Sequence, residues 1–310
     1  MNEREFIEEK VKEIRAIVGS GKAISALSGG VDSSTCTVLA HRAIASSLKV
    51  IFIDDGLMRE KEAENVSRTF SELGIKVDVI EAQDEFFRAL KGMMDPEEKR
   101  KAFRHTFYSV FGREVQKSEA KFLVQGTIAA DIIETKGGLK TQHNILEQIG
   151  IDPEKGFGFK VIEPLKDLFK PEVRKVAKAL GLPKGIYGRM PFPGPGLATR
   201  VIGEVTPERV SLVRKATQIV EEEVEPLRPF QAFAVLLSDR GTGVEDGQRK
   251  YGQIIIVRSV ESKDAMTAEP TPIPWKALMK ISRRITSEIS EVVRVAYEIT
   301  PKPPATIEYI

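Results

Sequence analysis

One heptapeptide, Ser28-Gly29-Gly30-Val31-Asp32-Ser33-Ser34, constrains the fold more than any other stretch of the chain. Before it runs the short, mostly apolar Ala23-Ile24-Ser25-Ala26-Leu27; after it, Thr35-Cys36-Thr37-Val38-Leu39-Ala40-His41 begins a helix with a buried face. Strand, glycine turn and helix in that order aim the helix's free N–H groups and positive dipole end at the turn. Gly29 and Gly30 permit backbone angles and close approach that a β-carbon forbids. Ser33 and Ser34 add hydroxyl donors, and Asp32 can hold a cation beside an anion. The expectation is a phosphate cradle. A serine-capped helix after a glycine turn is the plainer reading of the Ser-Gly-Gly core alone. Walker A is a different loop, G-x-x-x-x-G-K-[ST]. Gly21-Lys22 is followed by Ala23 and lacks the upstream glycine, so it is no such loop.

The chain on either side reads as alternating strands and helices. Phe6, Ile7, Val11, Ile14 and Val18 recur at helical spacing and predict an amphipathic first helix. Val50-Ile51-Phe52-Ile53 is a continuous apolar run, as in a parallel strand buried on both faces. It ends at Asp54-Asp55-Gly56-Leu57, at the carboxyl edge where open α/β sheets hold ligands. A helix over 60–73, a strand over 77–80, and a strand then turn at Lys121-Phe122-Leu123-Val124-Gln125-Gly126-Thr127 continue the rhythm. The predicted class is α/β, a doubly wound parallel sheet. Residues 84–120 interrupt it with a charged helical region, Asp95-Pro96-Glu97-Glu98-Lys99-Arg100-Lys101, read on general grounds as a solvated face. Residues 134–160 are polar and glycine-rich, a long loop of the functional or mobile kind.

Composition shifts near 186–192, where Pro191, Pro193 and Pro195 alternate with Gly194 and Gly196. The expected division is 1–188 and 189–310. Beyond it, a helix over 206–224, apolar stretches at 232–237 and 253–257 and a helix over 275–297 predict a smaller α+β domain.

Bulk properties exclude more than they assign. With 310 residues, 41% hydrophobic and 30% charged, the chain suits a globular protein of two domains. A net charge of +2 makes no case for nucleic acid or anionic membrane. One cysteine, Cys36, rules out an internal disulfide and a zinc cluster and is expected to pack in its helix. No 18-residue apolar run appears and the N-terminus is too charged for a signal peptide, so the expected location is the cytoplasm. His41, His105 and His143 show no spacing for a metal site or triad.

The heptapeptide between strand and helix resembles the pyrophosphate loop of the ATP pyrophosphatases that adenylate their substrates. Within that group the chain resembles the GMP synthetase family. The resemblance rests on Pro191-Phe192-Pro193-Gly194-Pro195-Gly196-Leu197-Ala198-Thr199-Arg200-Val201, on Gln231-Ala232-Phe233-Ala234-Val235-Leu236-Leu237, and on Lys302-Pro303-Pro304-Ala305-Thr306-Ile307-Glu308. Asp55-Gly56-Leu57, Gln125-Gly126-Thr127 with Asp131, and Ile162-Glu163-Pro164-Leu165 match as well. It covers nearly the whole chain in the family's order.

The resemblance implies amination of xanthosine 5′-monophosphate (XMP) to GMP with ATP and Mg²⁺, through an adenylyl-XMP intermediate. Many family members begin with a glutamine amidotransferase domain. Here the loop starts at residue 28, so the expectation is a synthetase subunit that takes ammonia from a separate amidotransferase subunit or from solution. Ser28, Gly29, Gly30, Val31, Asp32, Ser33 and Ser34 are implied to bind pyrophosphate, with Asp32 the leading Mg²⁺ ligand and Ser33 acting in catalysis beside it. Ile53, Leu57, Gly126 and Thr127 are implied to line the adenosine pocket, although plain sheet core also explains Ile53. Asp131 has two readings, metal support or a helix-start carboxylate.

For XMP, the family pattern points to Arg100, Gln231, Lys302 and Glu308. Lys160, Lys166 and Lys170 are candidate transition-state stabilisers, of which Lys166 and Lys170 are carried forward; surface lysine is the competing reading. If Arg100 binds XMP from within an insertion, that segment and the 134–160 loop are expected to close over the site. A homodimer through the second domain is the family expectation. The rival readings are an NAD synthetase-like or tRNA-modifying pyrophosphatase, which shares the loop but lacks the motifs at 191–201 and 302–308, and a non-catalytic ATP-sensing subunit.

Overall fold

The continuous apolar runs become parallel strands, and the order in which they pair decides where the glycine turn lies. A computed structural model describes residues 2–136, 159–263 and 265–310. The polar stretch 134–160 therefore falls largely outside the described residues, as does His143. The chain divides into two compact units. The first comprises Met1–Asp54, Lys61–Ala82 and His105–Arg189, and the second Asp55–Glu60, Gln83–Arg104 and Met190–Ile310.

In the first unit, helix α1 (Glu3–Val18) buries Ile7, Ile14 and Val18, as its spacing requires. Strand β1 (Ala23–Leu27) leads through the glycine turn into helix α2 (Val31–Ile44). Strand β2 (Leu48–Asp54), helix α3 (Glu62–Glu72) and strand β3 (Asp78–Glu81) follow. Helix α4 (Gln83–Leu90) and the start of helix α5 (Pro96–Ser118) fall in the second unit, whereas the rest of α5, strand β4 (Phe122–Val124), helix α6 (Ala129–Lys136) and strand β5 (Lys160–Ile162) belong to the first. Helices α7 (Lys170–Ala179) and α8 (Lys184–Tyr187) complete it.

The five strands pair in parallel in the order β3-β2-β1-β4-β5. Chain order runs one way from β1 to β3 and the other way from β4 to β5, so β1 stands at the topological switch point. The turn after β1 thus lies where open α/β sheets bind ligands. Residues 34–40 of α2 are all buried. The Ser25 and Thr37 hydroxyls, 2.7 Å apart, satisfy each other in that interior.

The second unit contains helix α9 (Pro207–Val224) and strands β6 (Gln231–Glu245), β7 (Gln248–Glu261) and β8 (Glu269–Pro270). Helix α10 (Trp275–Glu288) and strand β9 (Val292–Glu298) follow. β6, β7 and β8 pair antiparallel and β9 joins β7 in parallel. The helix expected over 275–297 is therefore two elements. Ile289 takes an extended conformation (φ −128°, ψ 91°), and the β-branched Val292, Val293 and Val295 favour a strand once β7 offers an edge.

The charged run at 95–101 also departs from expectation. Lys99 is fully buried, donating from Nζ to the Val201 carbonyl at 2.8 Å. Periodicity of charge does not report such a contact, because its partner lies 102 residues away.

Candidate active site

The turn after β1 is held open by its own backbone. Gly29 has φ +73°, in the left-handed region, and a β-carbon there would collide with Glu62 Oε1. Gly30 is the N-cap of α2 and has no side chain to satisfy the first N–H groups. Asp32 therefore sits within the first turn rather than capping it. The Ser33 hydroxyl donates to the Gly30 carbonyl at 3.2 Å and lies 2.9 Å from the Ser28 hydroxyl. The Ser28 N–H donates to Ser33 Oγ at 3.2 Å, so the turn is cross-braced by hydroxyls that can exchange their bonds for those of an anion.

Two buried polar atoms at this turn, Asp32 Oδ1 and Ser34 Oγ, have no hydrogen-bond partner among the described residues. Lys170, the first residue of α7, pairs with the other Asp32 oxygen. Burial pushes the Asp32 carboxyl up from its ordinary value. Lys170 and, more weakly, Arg174 oppose that shift, while the Asp131 charge adds to it. Asp131 accepts the Ile128 N–H at 3.0 Å, as a helix-start carboxylate does, and acts on Asp32 through its charge.

β4 delivers the next residues. Gly126 passes so close to the start of α2 that a β-carbon would lie 2.9 Å from Ser33 N. The Thr127 hydroxyl donates to Glu163 Oε1 at 2.6 Å. Ile53 is buried near the end of β2, in register with Ile80. Lys166 and Lys160 are exposed. Cys36 is buried as expected, its thiol donating to the Gln125 carbonyl, and burial pushes its pKa well up.

Spacing gave no sign of the pair that braces this turn. Arg189 Nη1 donates to the Gly29 carbonyl at 3.2 Å and to Glu62 Oε1 at 2.6 Å, and its Nη2 pairs with Glu62 Oε2. Glu62 is 4% exposed. The one hint in the sequence is that Arg189 stands next to the proline-rich motif.

The second unit gathers other predicted residues. Leu57 is fully buried, its carbonyl accepting the Leu197 N–H at 2.7 Å. Gly196, at φ +60°, lies against that same carbonyl, leaving no room for a β-carbon. Glu308 accepts from Gln231 Nε2 and from Arg200, whose Nε and Nη2 reach it at 3.1 and 3.0 Å. Arg200 is fully buried, with its guanidinium 4.1 Å from the Phe233 ring centre and 4.9 Å from that of Phe192. It lies inside the 191–201 motif, yet only the fold reveals that it holds Glu308. Lys302 donates to the Ala265 carbonyl at 2.8 Å, and Arg100 pairs with Glu97. Near the C-terminus, Ile307 packs with Val260, Ala268 and Phe230, and Arg258 donates to the Thr300 and Thr306 carbonyls at 2.6 and 3.1 Å.

No helix among the described residues is long and apolar enough to cross a membrane. Among those residues, no group of three or more His, Cys, Asp or Glu could by itself hold a metal.

Residues 2–195 match the family model described as NAD synthase, and residues 218–309 match the one described as GMP synthase C terminal domain. The first match carries the glycine turn and parallel sheet. The second carries Gln231, Lys302 and Glu308. Archaeal proteins named as one subunit of glutamine-hydrolyzing GMP synthase are similar over nearly the full length. That of Thermococcus kodakarensis is 57% identical, covering 98% of each chain. That of Pyrococcus furiosus is 56% identical, covering 98% of this chain and 96% of the other. That of Archaeoglobus fulgidus is 54% identical with both chains fully covered. The glycine turn at the switch point of a parallel sheet and the second unit both lie within that length, and the chain belongs to the family of these GMP synthase subunits.

Proposed function

We propose that this chain is the synthetase subunit of a two-subunit GMP synthase. It cleaves ATP between the α and β phosphates to aminate XMP, with ammonia delivered from a separate glutaminase subunit. The observation that carries the reading is the full-length kinship with the GMP synthase subunits, which includes the 28–34 turn at the sheet's switch point.

The chemistry divides into two displacements. The XMP C2 oxygen attacks the α phosphorus of ATP, the bond to the bridging oxygen breaks, and pyrophosphate departs. Ammonia then adds at C2, the C2–O bond breaks, AMP leaves and a proton is lost. An amide-like oxygen leaves poorly until it is adenylated, so the charge to be stabilised sits on the departing pyrophosphate. The N–H groups at the start of α2, the Ser28, Ser33 and Ser34 hydroxyls and the Lys170 and Lys166 ammonium groups supply preorganised donors for it. Ile53, Gly126 and Thr127 of the first unit contact adenosine.

Mg²⁺ fits the residues present: Asp32 has one oxygen on Lys170 and the other buried without a partner, with Asp131 adding negative charge. Asp32 would hold the ion, which would supply charge neutralisation of the phosphate oxygens. In the second unit, Arg100 and Lys302 suit the XMP phosphate and Gln231 and Glu308 the purine edge. The subunit works in the cytoplasm as a homodimer through its second domain.

The deciding experiment measures pyrophosphate and AMP release from the purified chain with MgATP, XMP and ammonium. XMP-dependent release with GMP formation is expected, and is lost in Asp32→Ala. Release with nicotinate adenine dinucleotide in place of XMP would instead favour the chemistry named in the family model over residues 2–195.

A further inference from the structure

The Arg189–Glu62 pair has no part in the two displacements, yet it makes the one side-chain contact to the Gly29 carbonyl among the hydrogen bonds described above. We infer that Arg189 is a positioning residue for the pyrophosphate turn, and that Glu62 keeps it there. This inference rests on the proposed ATP-cleaving function of the turn.

The argument begins with the peptide plane. The Gly29 carbonyl and the Gly30 N–H belong to one planar trans unit and point in opposite directions. Drawing the carbonyl to Arg189 therefore turns the Gly30 N–H away from Arg189, toward the side where Ser28 Oγ receives it weakly at 3.4 Å. That long bond is easily exchanged for one to a phosphate oxygen. At φ +73°, Gly29 is free to flip its neighbouring peptide, because glycine populates both signs of φ. A guanidinium on its carbonyl removes that freedom.

Glu62 explains why the guanidinium stays on the carbonyl. It engages both Nη atoms of Arg189, a fork-on-fork geometry that fixes the plane of the group. Its carboxylate also offsets the Arg189 charge, so that the arginine serves the backbone rather than reaching for phosphate. The same carboxylate oxygen occupies the space that a Gly29 side chain would need. Arginine, glutamate and glycine thus form one interlocking unit, all within the first unit of the chain.

The test compares wild type with Arg189→Met, Arg189→Lys and Glu62→Gln in XMP-dependent pyrophosphate release, in calorimetric binding of inorganic pyrophosphate and in thermal melting. Arg189→Met is expected to raise KM for ATP and weaken pyrophosphate binding by about tenfold or more, while KM for XMP changes less than about twofold. Arg189→Lys retains charge without the fork and is expected to recover only part of the loss. Glu62→Gln is expected to weaken pyrophosphate binding by about threefold, since an amide still accepts from Arg189 but holds it less firmly.

Unchanged ATP and pyrophosphate constants in a folded Arg189→Met overturn the inference. So does tighter pyrophosphate binding in Glu62→Gln, which would make Arg189 a direct phosphate ligand. Should Arg189→Met melt below the assay temperature, Arg189→Lys and Glu62→Gln decide by the same criteria. A wild-type protein with no XMP-dependent release at all would count against the proposed function, whereas wild-type turnover with indifferent variants counts against the clamp alone.

Discussion

Lys170 holds one oxygen of the Asp32 carboxylate, and the other oxygen of that group is buried without a partner among the described residues. A carboxylate left half-satisfied at the start of a helix is costly to the fold. It is also well placed to receive a cation, and protein sites of this kind trade stability for function.

Asp32→Asn is expected to separate those two consequences. Burial raises the Asp32 pKa in the folded chain, so the folded state keeps this proton to higher pH than the unfolded state does. Stability then falls as pH rises from the ordinary carboxylate value through the folded value. The asparagine variant escapes it. Its melting temperature at neutral pH should equal or exceed that of wild type, while pyrophosphate release drops by about 10²-fold or more. A clearly lower melting temperature in this variant would contradict the account.

Gly126→Ala places a methyl group 2.9 Å from Ser33 N, against backbone that cannot swing aside. The turn must shift by a few tenths of an ångström. The expected result is a folded protein whose KM for ATP rises about tenfold, because small misplacements at a reacting group carry large kinetic penalties. Initial rates at varied ATP check it, with KM for XMP as the internal control.

Arg200→Met removes the fully buried guanidinium that holds Glu308 between Nε and Nη2. Methionine fills much of the volume, but Glu308 retains only Gln231 as a donor among these contacts. Losing one partner of a buried pair should cost about 2–4 kcal/mol in urea unfolding, with Glu308→Gln costing less because its amide oxygen still accepts from Arg200. Equal stability of Arg200→Met and wild type would show that Glu308 is held by other means.

Lys99 gives a pH signature of the opposite sign. Burial, reinforced by the Arg209 charge, lowers its pKa from 10.5 to about 8. Between those values the unfolded chain binds more protons than the folded one, so stability contributed at this site rises with pH. The difference in unfolding free energy between wild type and Lys99→Met should therefore move in favour of wild type from pH 8 to 10. A difference that stays flat across that interval would mean the folded pKa is not depressed.

Much of the first unit was legible because its signals are local. The apolar run at 50–53, the glycine turn and the polar start of α2 each lie within a few residues of one another, and period and turn chemistry read them directly. The charged run at 95–101 was not legible, because the partner of Lys99 is a backbone carbonyl far along the chain. The end of the helix expected at 275–297 failed for a related reason. Val292, Val293 and Val295 fit a helix face or a strand, and pairing with β7 decided between them.

Contiguous residues carry the strand, glycine turn and helix around residue 28, the parallel α/β class and the membership of the second part in the same family. Tertiary structure decided which side chains serve those residues. Arg189 and Glu62 are separated by 127 positions, and Arg200 and Glu308 by 108. It also grouped Asp55–Glu60 and Gln83–Arg104 with the C-terminal unit rather than with the sheet that flanks them in sequence. The physical reason is common to all of these: a buried charge requires a partner, and where the chain finds one depends on closure of the fold rather than on spacing along it.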